Sequence, residues 1–457
     1  MKMEHLYARY ESIIPDFEIF MQYLKKPLRH SLRINTLKAT REQILDMLHD
    51  LPSRESAFWT DAHIVDGKYH LGNHIAHNLG LIYVQEVASM IPVILLEPKP
   101  GEVVLDLCAA PGSKTTQIAQ AMANQGLLVV NEVNRKRMRG LIHNVKRCGL
   151  LNEAVISLSG QKAYRVFHDY FDRILVDAPC SAEGTIRRSR AVLYHWGIKN
   201  IERMSRLQIG LAVSGFRALR PGGVMVYSTC TIAPEENEKV VSYLLGKFPE
   251  AELLPVRLRN FKTRPGVTEW QGVGFDPRVE ECARILPQDN DSAPFFVAKL
   301  TKRGILPPRL DDHGRIRSDR ALVSSFAARF GVEPERFAPY VVYKHQEENC
   351  ISTPEVFSFR EVRVYRKGLE FGREYDREPK PDNDMVQIFG TSAQRNTVDM
   401  SDIQVRKFLR GEIVSVGHVA NAARGFVIIR YKDLVIGVGR YNGKDVKPAI
   451  RRERRTQ

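Results

Sequence analysis

The sequence predicts an α/β fold with a doubly wound, mainly parallel β-sheet at its centre. Two observations support this prediction: five short apolar segments have the pattern of buried strands, and segments of helical pattern separate them. Such alternation is typical of parallel sheets, because each crossover helix returns the chain to the same edge. The five predicted strands are residues 103–107, 127–131, 154–157, 173–177 and 224–228.

The helices between these strands have recognisable ends. One follows the Pro-Gly of residues 111–112 and is rich in alanine and glutamine, and residues 135–148 have the pattern of a basic helix. Another is expected over about residues 200–219, because the Arg-Pro-Gly-Gly of residues 220–223 is a strong stop signal. We assign residues 98–302 to this α/β core.

An α+β lead-in of residues 1–97 precedes the core. Residues 29–38 alternate apolar and polar side chains, as a half-buried strand does. Residues 80–97 are apolar at helical spacing, which predicts a helical segment that packs on the core.

The chain after the core divides into two further parts. Residues 303–354 are predicted to be a linker and small helical region, since residues 302–320 are rich in Pro, Asp and Arg and residues 321–330 have a helical pattern. Residues 355–457 form a basic, β-rich module. Its predicted elements are a helix that ends within residues 406–412 and a hairpin of residues 426–431 and 434–440.

Composition limits the class of protein. No apolar run approaches the roughly 20 residues that span a bilayer, and the N-terminus leads into acidic and aromatic residues rather than an apolar signal core. The six cysteines are too sparse for a disulfide framework, and no CxxC pair indicates zinc. We therefore expect a soluble, cytoplasmic, monomeric protein with no metal and no membrane partner.

The net charge of +15 favours polyanionic partners. It is unevenly distributed, because residues 351–457 contain 21 Lys and Arg against 14 Asp and Glu. A solvated basic surface explains the same excess of positive charge. Charge alone therefore favours a nucleic acid partner only slightly.

A loop between the first strand and its helix has the composition of a cofactor site. Residues 106–115, Asp-Leu-Cys-Ala-Ala-Pro-Gly-Ser-Lys-Thr, include small residues that let a ligand approach the backbone, and the helix N-terminus offers unpaired N–H groups. The motif matches neither the dinucleotide nor the nucleoside triphosphate pattern. Glu132, after the second strand, is suited to accept both hydroxyls of a ribose. Together they suit S-adenosylmethionine, with a generic dinucleotide-type domain as the alternative.

Two cysteines follow the fourth and fifth strands. Cys180 lies in Asp-Ala-Pro-Cys-Ser and Cys230 in Tyr-Ser-Thr-Cys-Thr, so both thiols are expected over the same crevice as the cofactor. A lone cysteine in a sheet is more often inert, but two at strand ends indicate covalent chemistry. A thiolate added to carbon 6 of cytosine makes carbon 5 nucleophilic enough to attack a methyl donor. Asp177 is placed to hydrogen-bond the N3/N4 edge of that base.

Over about residues 98–302, these motifs resemble those of the Nop/Sun-type RNA cytosine-C5 methyltransferases. The matching segments are residues 106–115, residues 177–181 with Gly184 and Arg187, residues 227–231 with the Glu-Glu-Asn-Glu of 235–238, and upstream residues 33–38 and 83–86. Several independent motifs in the same order make a chance likeness very improbable.

The resemblance implies a Rossmann-like methyltransferase core that uses S-adenosylmethionine. It implies that Cys230 is the nucleophile and that Cys180 assists release of the methylated product, whereas cytosine-C5 DNA methyltransferases attack with their Pro-Cys cysteine. The predicted catalytic residues are thus Cys230, Cys180 and Asp177. The predicted cofactor-binding residues are Cys108, Ala109, Ala110, Pro111, Gly112, Ser113, Lys114, Glu132, Ser159 and Asp177.

The sequence departs from the family pattern at two places. Ser159 stands where the family often has an aspartate near the adenine, which predicts either a lower cofactor affinity or a contact made by Ser159 or Gln161. Residues 292–296, Ser-Ala-Pro-Phe-Phe, replace a usual Asp/Glu-Gly-Phe-Phe. We expect this change to alter a turn before the last strand and to leave the chemistry intact.

The C-terminal module resembles the PUA-like extension of bacterial 16S ribosomal RNA cytosine-C5 methyltransferases. Residues 357–371 interleave aromatic and basic side chains, which suits phosphates together with exposed bases. An amphipathic strand pair with a solvated basic face explains this pattern equally well. The resemblance implies 16S ribosomal RNA or the small subunit as partner, with RNA-binding roles for the lead-in and for this module.

Other functions stay open at this point. Enzymes that act on transfer RNA share the catalytic half, so the same chemistry on transfer RNA is one alternative. An RNA-binding ribosome assembly factor with little methylation is another, although binding alone would not need Cys230, Cys180 and Asp177. A small-molecule methyltransferase is a third, and the paired cysteines and the basic tail argue against it.

Overall fold

The computed structural model describes residues 3–305, 318–375 and 378–450. The lead-in contains a four-stranded antiparallel sheet in the order β2-β3-β1-β4. Its helices α1–α5 are Met3–Tyr7, Phe17–Lys25, Arg41–Met47, Ile75–Asn78 and Ile91–Leu96, and its strands β1–β4 are His30–Ile34, Ser53–Ser56, Trp59–Val65 and Ile82–Val84.

Two predictions for the lead-in need correction. The strand within residues 29–38 is present as β1, but four of its five residues are buried, because β3 and β4 flank it on both sides. The prediction of a helical segment over residues 80–97 is wrong for Ile82–Val84, because these residues form a strand that pairs with β1. Within the predicted segment, only Ile91–Leu96 forms an α-helix. The short apolar run did not distinguish a strand from a helix.

The core contains the predicted sheet. Its helices α6–α11 are Ser113–Ala121, Arg135–Cys148, Val192–His195, Ile198–Ala218, Glu238–Lys247 and Pro287–Asn290. Its strands β5–β15 are Val103–Asp106, Leu127–Asn131, Glu153–Ile156, Phe171–Asp177, Leu219–Thr229, Ala251–Leu254, Arg264–Pro265, Glu269–Trp270, Val273–Gly274, Ala283–Ile285 and Phe295–Lys302. All five predicted strands are confirmed, as β5 to β9. The stop signal at residues 220–223 ends α9 as expected, but these residues already belong to β9.

The parallel strands place their carboxyl ends along one edge. They run in the order β9-β8-β5-β6-β7, and β15 joins β9 in the antiparallel direction. Helices α9 and α10 pack on one face, and α5, α6 and α7 pack on the other. The sheet is therefore covered on both sides, as its nearly continuous apolar strands require.

The C-terminal part contains two more sheets, in the orders β16-β17-β19-β20 and β21-β23-β24-β25-β22. Helices α12–α15 are Arg320–Phe330, Pro354–Ser358, Asn383–Phe389 and Asp402–Arg410, which confirms the helical segment at 321–330 and the helix end near 410. Strands β16–β25 are Val341–His345, Glu348–Ser352, Val364–Lys367, Leu369–Tyr375, Glu378–Pro381, Thr397–Asp399, Val414–Ser415, Gly425–Tyr431, Leu434–Tyr441 and Asp445–Pro448.

The hairpin predicted at residues 426–440 is confirmed by the antiparallel pairing of β23 with β24. Most of the predicted linker, residues 306–317, and the basic run Arg451 to Arg455 lie outside the described residues. The division at residues 97, 302 and 354 stays a prediction.

The aromatic and basic segment 357–371 does not form the exposed platform expected for bases. Its strand β18 pairs with β7 and extends the catalytic sheet, while β19 pairs with β17. Phe359 and Phe371 are buried, and Arg366 is buried in an ion pair with Glu153 of β7. The segment is therefore neither an exposed stacking surface nor a strand pair of its own, because its two strands pair with β7 and β17 and Phe359 and Phe371 lie in the core.

The lead-in and the C-terminal module share a hydrophobic core. Leu32 and Ile34 of β1 belong to the same buried cluster as Phe408 of α15 and Val427 of β23. The two parts therefore pack against each other beside the catalytic sheet. Within the described ranges, no helix is both long and apolar enough to cross a membrane.

Candidate active site

A cavity of about 340 Å³ lies at the carboxyl edge of the parallel sheet. It opens between the core and the lead-in, since both parts contribute to its wall. Its lining comprises Leu28, Tyr83, Val84, Gln85, Glu86, Ser89, Pro111, Ser113, Lys114, Asp177, Ala178, Gly184, Thr185, Arg188, Cys230, Ala293 and Phe295.

The two cysteines predicted to be catalytic are neighbours. Cys230 follows β9 and Cys180 follows β8, and their Sγ atoms lie 3.3 Å apart, within hydrogen-bonding distance. The contact with Cys230, and then burial, raises the pKa of Cys180 well above its usual value. Cys180 therefore keeps its proton at neutral pH and can donate a hydrogen bond to the sulfur of Cys230.

Asp177 is held by two donors at the floor of the cavity. Its Oδ2 accepts a hydrogen bond from Lys114 Nζ at 2.7 Å, and its Oδ1 accepts one from the Ser228 hydroxyl at 2.7 Å. Lys114 Nζ also donates to the Ser89 hydroxyl at 2.9 Å. The carboxylate is thus fixed in orientation and pointed towards the same space as Cys230. The parallel register of Asp177 with Ser228 brings the latter side chain to the site.

Gly184 allows the two cysteine loops to touch. Its N–H donates to the carbonyl oxygen of Cys230 at 2.8 Å. A Cβ atom at this position would lie 2.7 Å from that oxygen and 2.5 Å from the carbonyl oxygen of Pro294. Only glycine fits there, because both neighbouring atoms are backbone.

Glu183 ties the loop after Cys180 to its surroundings. Its buried carboxylate accepts hydrogen bonds from Tyr10 Oη at 2.7 Å, Trp196 Nε1 at 2.6 Å and the Thr231 hydroxyl at 2.8 Å. The N-terminal helical segment that contains Tyr10 is thereby connected to the residue directly after Cys230. Sequence reasoning missed this residue, because nothing in the pattern distinguishes it from an exposed loop glutamate.

A second buried acid, Glu236, lies on the other side of Cys180. It accepts the backbone N–H of Ser181 at 3.0 Å and Gln208 Nε2 at 2.7 Å. Burial raises the pKa of Glu236 to about 7. The backbone next to Cys180 is therefore anchored by a carboxyl group that exchanges its proton near neutral pH.

The predicted cofactor loop lies between β5 and α6, at the strand end next to the cavity. The loop turns sharply, with Gly112 at φ +104° and its N–H donating to the carbonyl oxygen of Ala109 at 2.8 Å. Burial raises the pKa of Asp106, at the end of β5, to about 7, and its Oδ1 is buried with no hydrogen-bond partner in the described structure. An unpartnered carboxylate oxygen beside a loop of small residues fits a ligand with a cationic group, such as the ammonium of S-adenosylmethionine.

Glu132 and Ser159 follow β6 and β7, so they lie along the same edge as the loop. Glu132 and Ser159 are not among the described residues that line the 340 Å³ cavity, and the side chain of Ser159 is exposed. Glu132 accepts the N–H of Asn134 at 2.7 Å, and Arg137 lies 3.3 Å from it. Arg137 also donates to the carbonyl oxygen of Ala110 at 2.5 Å, which connects Glu132 to the loop.

One departure from the family pattern lies in the cavity itself. Ala293 and Phe295 line the cavity together with Cys230, and the N–H of Ala293 donates to Glu86 at 3.1 Å. Residues 292–294 precede β15, as expected of a turn before the last strand of the core, and the segment also shapes the cavity. That the chemistry is left intact stays a prediction. The side chain of Arg188, which the sequence did not single out, lines the same space.

Family models match most of the chain in three consecutive parts. A model of the 16S rRNA methyltransferase RsmB/F matches residues 93–301, a model of the N-terminal domain of the 16S rRNA methyltransferase RsmF matches residues 4–87, and a model of the methyltransferase RsmF PUA domain matches residues 395–456. These matches agree with the lead-in, the core and the C-terminal module seen in the structure.

Individual relatives match nearly the whole chain or about two thirds of it. Ribosomal RNA small subunit methyltransferase F of Aeromonas salmonicida is 32% identical over 98% of this chain and 96% of its own length. A tRNA (cytosine(49)-C(5))-methyltransferase of Pyrococcus abyssi is 44% identical over 65% of this chain and 95% of its own. The crystal structure of a methyltransferase homologue from Pyrococcus horikoshii, 32% identical, superposes with a TM-score of 0.58 over 65% of this chain and 95% of that one.

Proposed function

Because this chain belongs to the family of 16S rRNA methyltransferases RsmB/F, we propose that it transfers a methyl group from S-adenosylmethionine to carbon 5 of a cytosine in 16S ribosomal RNA. One observation carries the proposal: the Cys230 thiol lines the cavity that Asp177 also lines, and Cys180 Sγ lies 3.3 Å from it. RNA binding alone requires neither thiol.

Cys230 is the nucleophile in this proposal. Its sulfur forms a bond to carbon 6 of the cytosine, and carbon 5 becomes electron-rich enough to take the methyl group. The proton on carbon 5 then passes to solvent, the bond from Cys230 to carbon 6 breaks, and the Cys180 thiol donates a hydrogen bond to the departing thiolate of Cys230. Because Cys180 holds its proton at neutral pH, it stabilises the sulfur of Cys230 by a hydrogen bond before attack and after release.

Asp177 orients the base. A carboxylate held by Lys114 and Ser228 is already in position when the cytosine arrives, so little reorganisation is required in the transition state. It is suited to accept from the amino group and the protonated N3 of an activated cytosine. The target must leave its stack to reach this cavity, as other enzymes that act on bases require.

The residues at the neighbouring strand ends suit the cofactor. S-adenosylmethionine, when bound, would supply an electrophilic methyl group on a positively charged sulfur, and cleavage of that sulfur–methyl bond would leave a neutral thioether. The loop of residues 108–114 would hold it against the N-terminus of α6, Asp106 would accept from its ammonium group, and Glu132 would accept from its ribose hydroxyls. Ser159 remains a candidate contact on the adenine side.

Ribosomal RNA is the favoured substrate because the relatives that match from end to end are named for it. The relative named for transfer RNA matches only 65% of this chain, whereas the relative named for ribosomal RNA matches 98% of it. The same chemistry on transfer RNA is the second candidate. That the enzyme acts as a cytoplasmic monomer stays a prediction.

Methyl transfer from labelled S-adenosylmethionine tests this proposal. The acceptors are 16S RNA transcribed in vitro, purified small subunits and bulk transfer RNA, and Cys230→Ala is the control. We expect label that depends on Cys230 in the ribosomal samples. Label in transfer RNA alone would overturn the substrate, and equal label with Cys230→Ala would overturn the mechanism.

A further inference from the structure

A second concave surface adjoins the reaction cavity. This groove, of about 520 Å³, is lined by residues 27–30, which lead into β1, and residues 65–70, which leave β3. The two segments run side by side because His30 pairs with Val65 across the two strands. Leu28 lines both the groove and the reaction cavity, so the two spaces adjoin at this residue.

The groove presents one aromatic ring, several basic side chains and one carboxylate, Asp66, whose Oδ2 lies 3.8 Å from Arg54 Nε. The ring of Tyr69 is 38% exposed. Gly67 in the turn has φ +101°, and a Cβ there would lie 3.1 Å from the Tyr69 ring, so the glycine leaves room for the ring to lie against the turn. Lys68 is exposed, and no carboxylate oxygen of the described residues lies within 4 Å of its Nζ. A flat ring beside an unneutralised ammonium suits a base together with its phosphate.

The wall between the groove and the cavity is rigidly attached to the catalytic loops. The fully buried side chain of Arg187 donates to the carbonyl oxygens of Lys26 and Pro27 at 3.2 Å and 3.1 Å. The same guanidinium contacts the Asp291 carboxylate at 2.6 Å, and Arg29 contacts that carboxylate from the groove side at 2.9 Å. The wall of the groove is therefore connected to the segment that contains Gly184 and Arg188, which both line the reaction cavity.

We propose that this groove holds the unpaired nucleotide next to the target cytidine, with its base on the Tyr69 ring and its phosphate on Lys68. The inference rests on the proposed function, because it places a neighbour of the base that Cys230 attacks. It follows that the base next to the target must leave any pair that it makes before it can lie on Tyr69.

Steady-state methyl transfer with Tyr69→Ala and Lys68→Ala tests the proposal. The control variants are Tyr243→Ala and Lys247→Ala, because these residues form a comparable exposed pair on α10, with Lys247 Nζ 5.6 Å from the ring centroid, on the opposite face of the catalytic sheet. We expect Tyr69→Ala to raise KM for RNA about tenfold with kcat nearly unchanged. Tyr69→Phe keeps the ring and should retain the wild-type KM.

Lys68→Ala should also raise KM and should reduce the salt dependence of RNA binding by about one phosphate contact. Unchanged KM in Tyr69→Ala and Lys68→Ala, or a loss confined to kcat, would overturn the groove as a nucleotide site. Equal losses in the α10 control variants would overturn it as well, because the effect would then be nonspecific.

Equilibrium binding of 16S RNA, measured by filter retention, separates this inference from the proposed function. Weaker binding by Tyr69→Ala, without a change in Tyr243→Ala, supports the groove even if the wild-type protein transfers no methyl group. Normal methyl transfer by the wild-type protein together with normal binding by both groove variants would leave the proposed function intact and refute the groove.

Discussion

Gly184 donates its backbone N–H to the carbonyl oxygen of Cys230 over 2.8 Å, so the loop that follows one catalytic thiol supports the loop that presents the other. The distance between the two sulfur atoms is therefore set by the backbone and not only by side-chain packing. A substitution that separates these two loops should therefore reduce methyl transfer more than it reduces the stability of the fold.

Gly184→Ala should abolish methyl transfer. The added Cβ would lie 2.5 Å from the carbonyl oxygen of Pro294 and 2.7 Å from that of Cys230, so the two loops must separate. Activity and melting temperature measure the outcome. Gly246→Ala in α10 is the matched control, because its Cβ meets nothing within 4 Å and helix propensity favours alanine by about 0.5–1 kcal/mol. An active Gly184→Ala enzyme would contradict the backbone argument.

Cys180→Ala should accumulate a covalent complex between protein and RNA. Attack by Cys230 remains feasible, whereas release loses the group that assists it. A denaturing gel with labelled RNA should show a band of reduced mobility that is absent in Cys230→Ala and in the double variant. Multiple turnover by Cys180→Ala without any such band would show that Cys180 does not assist release.

Binding of S-adenosylmethionine in the absence of RNA should tighten as the pH rises through 7. Burial raises the pKa of Asp106 to about 7, so its carboxyl group is neutral below this pH and negative above it, while the ligand keeps its positive charges. If only the ionised form binds well, Kd should fall about tenfold between pH 6 and pH 8.

Calorimetric titration across this pH range provides the measurement. Asp106→Asn should bind more weakly and should lose the pH dependence, because its side chain has no proton to release. The same slope in wild type and Asp106→Asn would assign the pH dependence to another group and would remove Asp106 from the cofactor site.

Arg366→Met should destabilise the fold by about 1–3 kcal/mol, because it leaves the buried carboxyl group of Glu153 without the hydrogen bond that Arg366 donates. Burial already raises the pKa of Glu153 to about 8. Denaturant unfolding measures the change, and the double variant Glu153→Gln with Arg366→Met should recover part of the loss. Arg406→Met removes an exposed ion pair with Asp402 and should cost no more than about 0.5 kcal/mol. A small effect of Arg366→Met would mean that the contact between Arg366 and Glu153 contributes little to the stability of the sheet.

Sequence patterns predicted the parallel sheet of the core well, but they predicted the contacts between distant segments of the chain poorly. The five parallel strands are nearly continuous apolar runs, so hydrophobic period and composition were enough to predict them. Ligands bind at the carboxyl ends of parallel strands, and this rule predicted that Cys180, Cys230 and Asp177 lie together. The strand Ile82–Val84 was taken for a helix because its apolar run is too short to have a clear period.

Contacts between distant parts of the chain were beyond sequence reasoning. Nothing local to Glu183 reveals that Tyr10 and Thr231 will donate to it, and nothing local to Lys114 reveals its partner Asp177, because the chain separates these residues widely. The aromatic and basic residues 357–371 were misjudged for the same reason. Their partner strand, β7, lies two hundred residues earlier, and only the paired sheet shows that Phe359 and Arg366 are buried.

The pairing of β18 with β7 also determines at which stage of translation the last strand of the catalytic sheet can join it. Once residue 302 has left the ribosome, every strand from β5 to β15 exists, yet the outer side of β7 still has no neighbour. That neighbour arrives only with Lys367, late in a chain of 457 residues. A nascent chain that stops before Val364 lacks both the edge strand and the cation for Glu153. Translation thus completes the catalytic sheet only after the C-terminal module has begun to emerge, which couples the maturation of the two parts.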